Sequence, residues 1–455
     1  MAEVHPFRGL RYRFEIAGAP AEVLAPPYDV ISDEDRQRLL ARSEYNIARL
    51  TLGEQSVDLP ADERDYTASA ALLEEWRTRG VQAYDRRPAV YVYEQTYQAP
   101  PPRNDLIKRR GIIVAVKLEP LGQGSILPHE GTLSEPKRDR LRLFEQTQCA
   151  FSQIFGIYTD PERRVEENLR PRMGEPDWGF TDALGIRHRF WTVADPEAVT
   201  AVQEALRDRQ IVIADGHHRY ETSLAFRDEM RQRYPDVKPA PWDYVTMFLC
   251  NTVHRSLTIL PAHRMLRRVD EQVLESFERR ASEFFDLHCV VMKGRPGRRE
   301  RGLRQLLEIM ARRPEETVFG AYWGRSYAVA LRLRDKARAL DRYGQELSGV
   351  QRDVDVALLH SVVIRGLLGE KEDLARTSGR GNIYFERDPR ACFDDVDEGR
   401  AAMALLCNPT RVEDVMRIAQ AGERMPQKGT YFWPKPLAGV VLYDLRPEAP
   451  TLQGS

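Results

Sequence analysis

Five chemically active side chains lie close together in the segment QIVIADGHHRYETSL, which spans residues 210–224. They are Asp215, His217, His218, Arg219 and Glu221. Arginine presents a rigid fork of donors that matches phosphate oxygens, and histidine donates, accepts or carries a proton near neutral pH. Aspartate binds Mg²⁺ or accepts a proton. This density of polar groups favours a functional site that handles an anion such as phosphate.

The local pattern indicates how these groups are positioned. Residues 211–214 form an apolar, β-branched run that predicts a buried strand, Asp215 and Gly216 predict a tight turn, and a helical period begins at His217. The first amides of a helix lack intrahelical partners and lie at the positive end of its dipole, which suits an anion. A structural alternative stays open, in which Asp215 caps the helix and the histidines bond local backbone groups.

Composition limits the class of protein. The chain has 455 residues, of which 42% are hydrophobic and 30% charged, as in a soluble globular protein with two domains or one elaborated domain. The net charge of −1 argues against broad binding to nucleic acids or acidic membranes. Five separated cysteines without a C-x-x-C pair predict neither a zinc knuckle nor a disulfide framework. Without an apolar leader or a membrane-length apolar run, we expect a cytoplasmic protein.

The order of predicted elements indicates the fold class. Strands and helices alternate irregularly, which favours a mixed α/β (α+β) fold over a doubly wound parallel sheet. We expect an N-terminal and central α/β domain over residues 1–265 and an α/β insertion or second subdomain over 266–345. A C-terminal helical and strand segment over 346–455 would return to the site. Locally, Ser32 predicts a helix N-cap, and residues 46–52 predict a strand.

Two further polar segments flank predicted strands. Residues 128–132, PHEGT, place His129 and Glu130 in a loop, and they lack the H-E-x-x-H spacing of helical zinc proteases. Residues 425–435, MPQKGTYFWPK, place Lys428 and Lys435 among aromatics and prolines. This second segment is either a substrate or phosphate clamp or a surface loop whose lysines lie over aromatic rings.

Loops after buried strands often carry function. We therefore include Asn251, His263 and Arg264, which follow a predicted buried strand, together with Tyr28 of the segment APPYDVI, as candidate substrate-binding residues. The sequence contains no P-loop, G-x-G-x-x-G, nucleophile elbow or kinase catalytic-loop signature. Phosphoryl chemistry here would therefore use an uncommon scaffold.

Taken together, the motifs resemble those of a large prokaryotic family known as domain of unknown function 1015. The matching pieces are APPYDVI at 25–31, PHEGT at 128–132, KRDRL at 137–141, ADGHHRYET at 214–222, LPAHR at 260–264 and MPQKGTYFWPK at 425–435. The central piece is also similar to the D-G-H-H-R turn of archaeal free-serine kinases, which belong to the ParB–sulfiredoxin-like superfamily. This resemblance implies a ParB/sulfiredoxin-like core and nucleotide binding by Gly216, His217, His218 and Arg219. It further implies phosphoryl transfer from ATP or ADP to a small hydroxyl compound such as L-serine.

The first functional hypothesis is therefore a nucleotide-dependent small-molecule kinase. Arg219 and the turn amides would hold phosphates, and Asp215 would hold Mg²⁺ or accept the hydroxyl proton. The remaining catalytic candidates are Asp29, His129, Glu130 and His218. Lys428 or Lys435 would close over the transferred charge.

Two other hypotheses remain. The same cradle would serve a nucleotide-binding switch or adaptor that phosphorylates no metabolite. A metallohydrolase would use His217, His218, His129 and Glu130, although adjacent histidines in a helix project roughly 100° apart, which makes joint ligation of one ion awkward. The expected partners are a nucleotide and a small-molecule substrate, with no membrane or nucleic acid. The oligomeric state stays open, and a homodimer is compatible with the sequence.

The last expectation concerns the assembly of the site. Polar segments that contain Pro or Gly lie beside apolar runs at five distant places in the chain. Loops of this kind are positioned by the rigid strands next to them. We predict that Asp29, His129, His218, Arg219 and Lys428 line one cleft.

Overall fold

The computed structural model describes residues 1–53, 64–100, 104–131, 134–295, 297–371 and 381–452. Thr132, the last residue of the PHEGT segment, lies outside these ranges. Contacts between Cα atoms divide the chain into two units. Unit 1 consists of Met1–Pro128, Ser134–Thr258 and Pro434–Ser455, and unit 2 consists of His129–Leu133 and Ile259–Trp433. The three segments expected from the sequence stay a prediction about domains.

A nine-stranded mixed sheet lies at the centre of unit 1. In spatial order its strands are Ile126–Pro128, Ile211–Asp215, Ile154–Tyr158, Tyr244–Asn251, Leu106–Lys117, Val90–Gln98, Arg187–Val193 and Trp178–Thr181, and Val4–His5 pairs with Leu106–Lys117. The predicted central strand, Ile211–Asp215, is parallel to Ile126–Pro128 and antiparallel to Ile154–Tyr158. Its first three side chains are fully buried, as their β-branched types predict. The sheet confirms a mixed α/β fold.

Helices and two small two-stranded sheets complete unit 1. The predicted helix after the turn is His217–Arg233. The other helices are Phe14–Ala17, Pro20–Val23, Asp33–Arg42, Ala48–Thr51, Thr67–Thr78, Ser134–Thr147, Arg164–Leu169 and Pro196–Arg207, with 3-10 turns at Tyr28–Val30, Arg170–Arg172, Pro241–Asp243, Thr252–His254 and Pro450–Leu452. The small sheets pair Leu10–Tyr12 with Gln82–Tyr84, and Cys149–Ala150 with Tyr443–Asp444.

Two local predictions in the N-terminal part had different outcomes. Ser32 caps the helix Asp33–Arg42 through a reciprocal bond pattern with Asp35, which confirms the predicted cap. The strand predicted over residues 46–52 is wrong, because a helix, Ala48–Thr51, lies there. The Asn46 side chain accepts a hydrogen bond from the Ala48 amide at 3.0 Å, which starts the helical turn locally.

Unit 2 contains a six-stranded sheet in which every neighbouring pair is antiparallel. In spatial order its strands are Phe285–Val291, Tyr327–Leu333, Val318–Tyr322, Met403–Leu406, His263–Leu266 and Ile383–Glu386. The helices are Glu271–Ala281, Arg298–Ala311, Lys336–Tyr343, Asp355–Leu358, Pro389–Asp397 and Val412–Gln420, with a 3-10 turn at Gln351–Asp353 and a π-helix at Leu359–Leu367. Two short strands, Thr258–Leu260 and Tyr431–Trp433, lie at the ends of the segment that makes up most of this unit. Among the helices of the described ranges, none is both long and apolar enough to cross a membrane.

Candidate functional site

The turn after the central strand of unit 1 has the geometry that its sequence predicts. Asp215 ends the strand, and Gly216 is the N-cap of the following helix with a φ of 96°. This left-handed conformation favours glycine. A Cβ added to Gly216 would lie 2.9 Å from the Arg219 guanidinium. Glycine is therefore required both for the backbone conformation and for the close approach of Arg219.

Arg219 lies one helical turn after Asp215 and pairs with it. Its Nη2 is 2.7 Å from Asp215 Oδ2, and its Nη1 donates to the Gln153 carbonyl at 2.6 Å and to Ser152 Oγ at 3.1 Å. The guanidinium is buried. The Asp215 carboxylate thus binds a cation here, whereas the structural alternative assigned it to capping the helix. Ser152 and Gln153, directly before the strand Ile154–Tyr158, hold Arg219 from the other side.

Lys435 joins two carboxylates in the same unit. Its Nζ lies 2.7 Å from Asp215 Oδ1 and also bonds Asp29 Oδ2. The lysine side chain is 7% exposed, so its positive charge is almost fully removed from water. A run of four charged groups therefore extends from Asp29 through Lys435 and Asp215 to Arg219.

The protonation of this run follows from its charges. Burial favours the neutral forms of both Asp215 and Lys435, but their mutual attraction outweighs burial. The charges of Lys435 and Arg219 hold the pKa of Asp215 well below its usual range. The charges of Asp215 and Asp29 raise the pKa of Lys435. At neutral pH Asp215 is therefore an anion and Lys435 a cation.

Two buried polar side chains fix the backbone around Lys435. The Arg109 guanidinium donates to the Pro434 carbonyl and to Gln95 Oε1, and Gln95 Nε2 donates to the Lys435 carbonyl at 3.2 Å. Arg109 itself is fully buried and lies 4.9 Å from the centroid of the Phe155 ring. The strands Val90–Gln98 and Leu106–Lys117 thus position the lysine.

A second buried network supports Tyr28 and the adjacent Asp29. The Arg140 guanidinium lies 4.0 Å from the centroid of the Tyr28 ring, a cation–π contact. Its Nη2 is 2.5 Å from Asp139 Oδ2 and donates to the Tyr66 hydroxyl at 2.6 Å. Tyr28 therefore packs against the KRDRL segment, and its place next to Asp29 makes this packing part of the site.

The remaining unit 1 candidates lie at different places. His217 is buried near Asp215 and His218 is half-buried, both in the first turn of the helix. Asn251 lies opposite Tyr158 in the sheet, whereas Asp215 lies opposite Phe155. Three residues of strand separate these two positions by roughly 10 Å. The Asn251 amide is moreover bonded to both the N–H and the C=O of Asp160, so the structure does not bring this side chain to Asp215.

In unit 2, His129 and Glu130 of the PHEGT segment contact the loop of residues 425–430. The Met425 amide donates to the His129 carbonyl at 2.8 Å, and His129 Nε2 lies 2.9 Å from Thr430 Oγ1. Glu130 Oε1 accepts from the Lys428 amide at 2.7 Å. Lys428 has a φ of 54°, and its side chain is exposed. The histidine and glutamate thus shape the loop that presents Lys428.

Arg264 holds the same loop from the sheet of unit 2. Its Nη2 donates to the Lys428 carbonyl at 3.2 Å, and its Nε donates to His360 Nε2 at 3.0 Å. The neighbouring His263 accepts at Nδ1 from the Cys407 amide at 3.3 Å. Burial, with the charge of Arg264, lowers the pKa of His263 to about 3 and that of His360 well below its usual value. Both histidines are neutral hydrogen-bond acceptors.

These neutral histidines predict an acid-sensitive unit 2. His263 has a lower pKa in the folded than in the unfolded chain, so the unfolded chain binds more protons as the pH falls. The contribution of His263 to stability is present above about pH 6.5, which is the pKa of histidine in the unfolded chain. It is lost as the pH falls towards the pKa in the folded chain. We expect a loss of about 3 kcal/mol in the free energy of unfolding between pH 6.5 and 4.

The measurement is urea unfolding across this pH range, with the substitution His263→Asn. Asparagine keeps an acceptor for the Cys407 amide but does not titrate. The pH slope of the variant should be flatter than that of the wild type, while His288→Asn, at an exposed position of the same unit, should leave the slope unchanged. Equal slopes in the wild type and His263→Asn would contradict the assignment.

The predicted site residues thus form two groups, each within one unit. Tyr28, Asp29, Asp215, Gly216, His217, His218, Arg219 and Lys435 belong to the unit 1 group. His129, Glu130, His263, Arg264 and Lys428 belong to the unit 2 group. The single cleft expected from the sequence combines members of both groups and stays a prediction. In the described ranges no cluster of three or more His, Cys, Asp or Glu side chains could hold a metal ion.

The site residues predicted from the sequence do not include those that position the charged run. These are Gln95, Arg109, Arg140, Ser152 and Gln153. One signal was available for Arg109, since its strand alternates between exposed and buried side chains from Leu106 and puts this arginine on the buried face with Ile107. A charged residue at an inward position predicts a specific buried partner.

The chain belongs to the family described as "Protein of unknown function (DUF1015)", whose model matches residues 4–357. This confirms the resemblance of the sequence motifs to that family. A search of the curated proteins found no match.

Solved structures show a distant similarity. "Free serine kinase in complex with AMP" has 11% identity and a TM-score of 0.35, with 71% of this chain and 89% of that chain covered. "Conserved hypothetical protein from Pyrococcus furiosus" has 11% identity and a TM-score of 0.31, with 71% and 93% covered. "SbnI with C-terminal truncation from Staphylococcus aureus" has 9% identity and a TM-score of 0.33, with 71% and 85% covered.

Proposed function

We propose that this protein is a nucleotide-dependent kinase that transfers a phosphoryl group to a small hydroxyl metabolite. The observation that carries the proposal is the run Asp29–Lys435–Asp215–Arg219 at the N-terminus of the helix His217–Arg233. Phosphoryl transfer needs fixed positive charge, an acceptor for a proton and carboxylates that hold a metal. All three lie together in unit 1.

The phosphate groups bind beside Lys435 and Arg219, at the N-terminus of the helix His217–Arg233. Lys435 and Arg219 are held in place by hydrogen bonds to carbonyls and carboxylates, so little reorganisation is needed when an anion arrives. The positive end of the helix dipole adds to their field. The D-G-H-H-R turn, with its resemblance to the free-serine kinases, supports nucleotide phosphates at Gly216, His217, His218 and Arg219. It also supports a ParB/sulfiredoxin-like core.

The carboxylate oxygens of this run are suitable ligands for Mg²⁺. Those of Asp29 and Asp215 already bind one cation, the Lys435 ammonium group. Mg²⁺ prefers such hard oxygen ligands and is usually bound through one or two carboxylates plus substrate phosphates. Asp215 would hold the ion together with the substrate phosphates, and the ion when bound neutralises charge on the phosphates.

The two carboxylates have different surroundings, because Asp215 binds both Lys435 and Arg219 and Asp29 is the more exposed of the two. A carboxylate whose pKa lies well below its usual range is a weak base, so Asp215 acts as a fixed negative charge. Asp29, whose side chain is 35% exposed, accepts the proton of the substrate hydroxyl. The hydroxyl oxygen attacks the terminal phosphorus, the bond from that phosphorus to the bridging oxygen breaks, and the nucleotide leaves one phosphate shorter. Free L-serine is the acceptor that the turn resemblance implies.

The test is ³¹P NMR of the full chain incubated with Mg²⁺, a nucleotide and a pool of amino acids and sugars. ATP, ADP and CTP are offered separately. We expect a new phosphomonoester signal whose intensity grows with time as the nucleotide loses its terminal phosphate. Asp29→Asn should reduce the rate by about a hundredfold or more, since a positioned base contributes 10²–10⁴-fold.

A matched control is Asp33→Asn. This position, at the start of the helix Asp33–Arg42, loses the same charge four residues away, where the carboxylate pairs with Arg36 of its own helix, and its rate should equal that of the wild type. Tight nucleotide binding without any phosphomonoester would replace the kinase with the nucleotide-binding switch or adaptor. Absence of nucleotide binding would reject both.

A further inference from the structure

Unit 2 contains a cavity that no part of the proposed kinase reaction uses. Its volume is about 180 Å³, or room for several water molecules, whose share of liquid volume is about 30 Å³ each. The polar lining consists of Asp355, Asn408, Thr410, Arg411 and Asp414, and proline, valine and alanine side chains form the rest of the wall. Such a mixture of apolar wall and few polar groups is typical of small-molecule sites.

Most of the charge in this lining is internally paired. Asp414 Oδ2 lies 2.7 Å from Arg411 Nε, and Asp414 Oδ1 lies 2.9 Å from Arg417 Nη2. The Asp414 side chain is 9% exposed, so these pairs satisfy a buried carboxylate. Arg411 and Asp414 therefore contribute little net charge to the cavity.

Asp355 differs from the other charged lining residues. Its Oδ1 accepts a hydrogen bond of 2.7 Å from Thr317 Oγ1. Within the described part of the chain, no basic side chain forms an ion pair with it at 4.0 Å or less. Burial raises the pKa of its carboxyl, and the hydrogen bond from Thr317 with the charges of Arg411 and Lys336 offsets this only in part. The Asp355 carboxylate thus has no cation in direct contact within the described residues, and a cationic ligand could supply one.

We propose that this cavity binds a small primary ammonium compound whose charged nitrogen bonds Asp355. A primary ammonium has three N–H donors, and the lining offers acceptors in the Asp355 carboxylate, the Asn408 amide oxygen and the Thr410 hydroxyl oxygen. Asn408 Nδ2 donates to the Met310 carbonyl at 2.8 Å, which fixes the orientation of that amide. A short alkyl chain on the ligand would contact the apolar wall.

The cavity is connected to the loop that presents Lys428. Thr410 Oγ1 donates to the Gly429 carbonyl at 2.7 Å. A ligand that bonds Thr410 therefore acts on the backbone next to Lys428. The site itself stands independently of the proposed kinase, because its charge and volume do not depend on what the unit 1 group does.

The experiment is isothermal titration calorimetry of the full chain with ethylammonium, propylammonium and ethanolamine, and with acetate and propanol as anionic and neutral probes. We expect the ammonium compounds to bind with a Kd of about 1 mM or tighter. Acetate and propanol should bind at least about tenfold more weakly, because neither bonds to a carboxylate as a charged donor.

Three variants test the place of binding. Asp355→Asn removes the charge and should weaken ammonium binding by about tenfold or more. Ala311→Leu fills part of the cavity and should do the same with Asp355 intact. Asp388→Asn, the control, removes a carboxylate from the N-cap of a different helix in unit 2, Pro389–Asp397, and should bind as the wild type does. Binding that survives both Asp355→Asn and Ala311→Leu, or the absence of saturable ammonium binding to the wild type, would overturn the proposal.

Discussion

Replacing Lys435 with methionine is expected to lower the free energy of unfolding by about 3–5 kcal/mol. The lysine Nζ separates the carboxylates of Asp29 and Asp215, and its side chain is almost fully buried. Without it, Asp215 keeps only Arg219 as a close cation and faces Asp29 as a like charge. Removing one partner of a buried ion pair leaves the other charge uncompensated, which is why the cost is large.

The measurement is urea unfolding at pH 7, compared with Lys428→Met. Lys428 belongs to the same sequence segment but its side chain is exposed, so this control should change the stability by no more than about 0.5 kcal/mol. A loss for Lys435→Met no larger than that of the control would show that the lysine is not a structural cation. In the ³¹P assay we expect Lys435→Met to lose transfer as well, because the phosphates lose a fixed positive charge.

Local sequence signals were sufficient for the centre of the site. The strand Ile211–Asp215, the turn at Gly216 and the helix His217–Arg233 follow from a β-branched run, a glycine and a change of period. The Ser32 cap was readable for the same reason, since a capping box involves residues three apart. Such features depend on neighbours in the sequence.

The same local signals did not predict contacts between residues that are far apart in the sequence. Lys435 and Asp215 are 220 residues apart, and the local sequence around either residue does not predict the contact between them. Arg109 and Pro434 are 325 residues apart and meet because strand pairing brings the sheet under the C-terminal segment. The sequence predicted that Lys435 binds phosphate, but it did not predict two carboxylates on the same ammonium group.

The wrong strand at residues 46–52 has a comparable cause. Its Ile47, Leu50 and Leu52 are buried, as a strand would require, but a short helical turn buries them equally well. Short apolar runs do not distinguish the two structures by periodicity alone. The Asn46 side chain favours the helical turn, because it accepts a hydrogen bond from the Ala48 amide. It also donates to the Glu22 carbonyl at 2.6 Å.

Replacing Asp215 with asparagine is expected to abolish phosphoryl transfer, with a loss of at least about 10²–10³-fold. Asparagine keeps the size of the side chain but removes the charge that holds Lys435 and Arg219.

The substitution Asp215→Asn should also change how the free energy of unfolding depends on pH in acid. Because the pKa of Asp215 is lower in the folded chain, its contribution is present above about pH 4 and is lost as the pH falls below the unfolded value. The variant should therefore lose less stability than the wild type below pH 4.

A double-mutant cycle separates a shared ion pair from two independent losses. Asp215→Asn and Lys435→Met each leave a charge without its partner, whereas the double variant leaves neither of these two. We expect the double variant to be more stable than the sum of the single losses predicts, with a coupling energy of about 1–3 kcal/mol. Strict additivity in urea unfolding would mean that the two residues act separately. In that case the run from Asp29 to Arg219 would not be the electrostatic unit on which the proposed transfer depends.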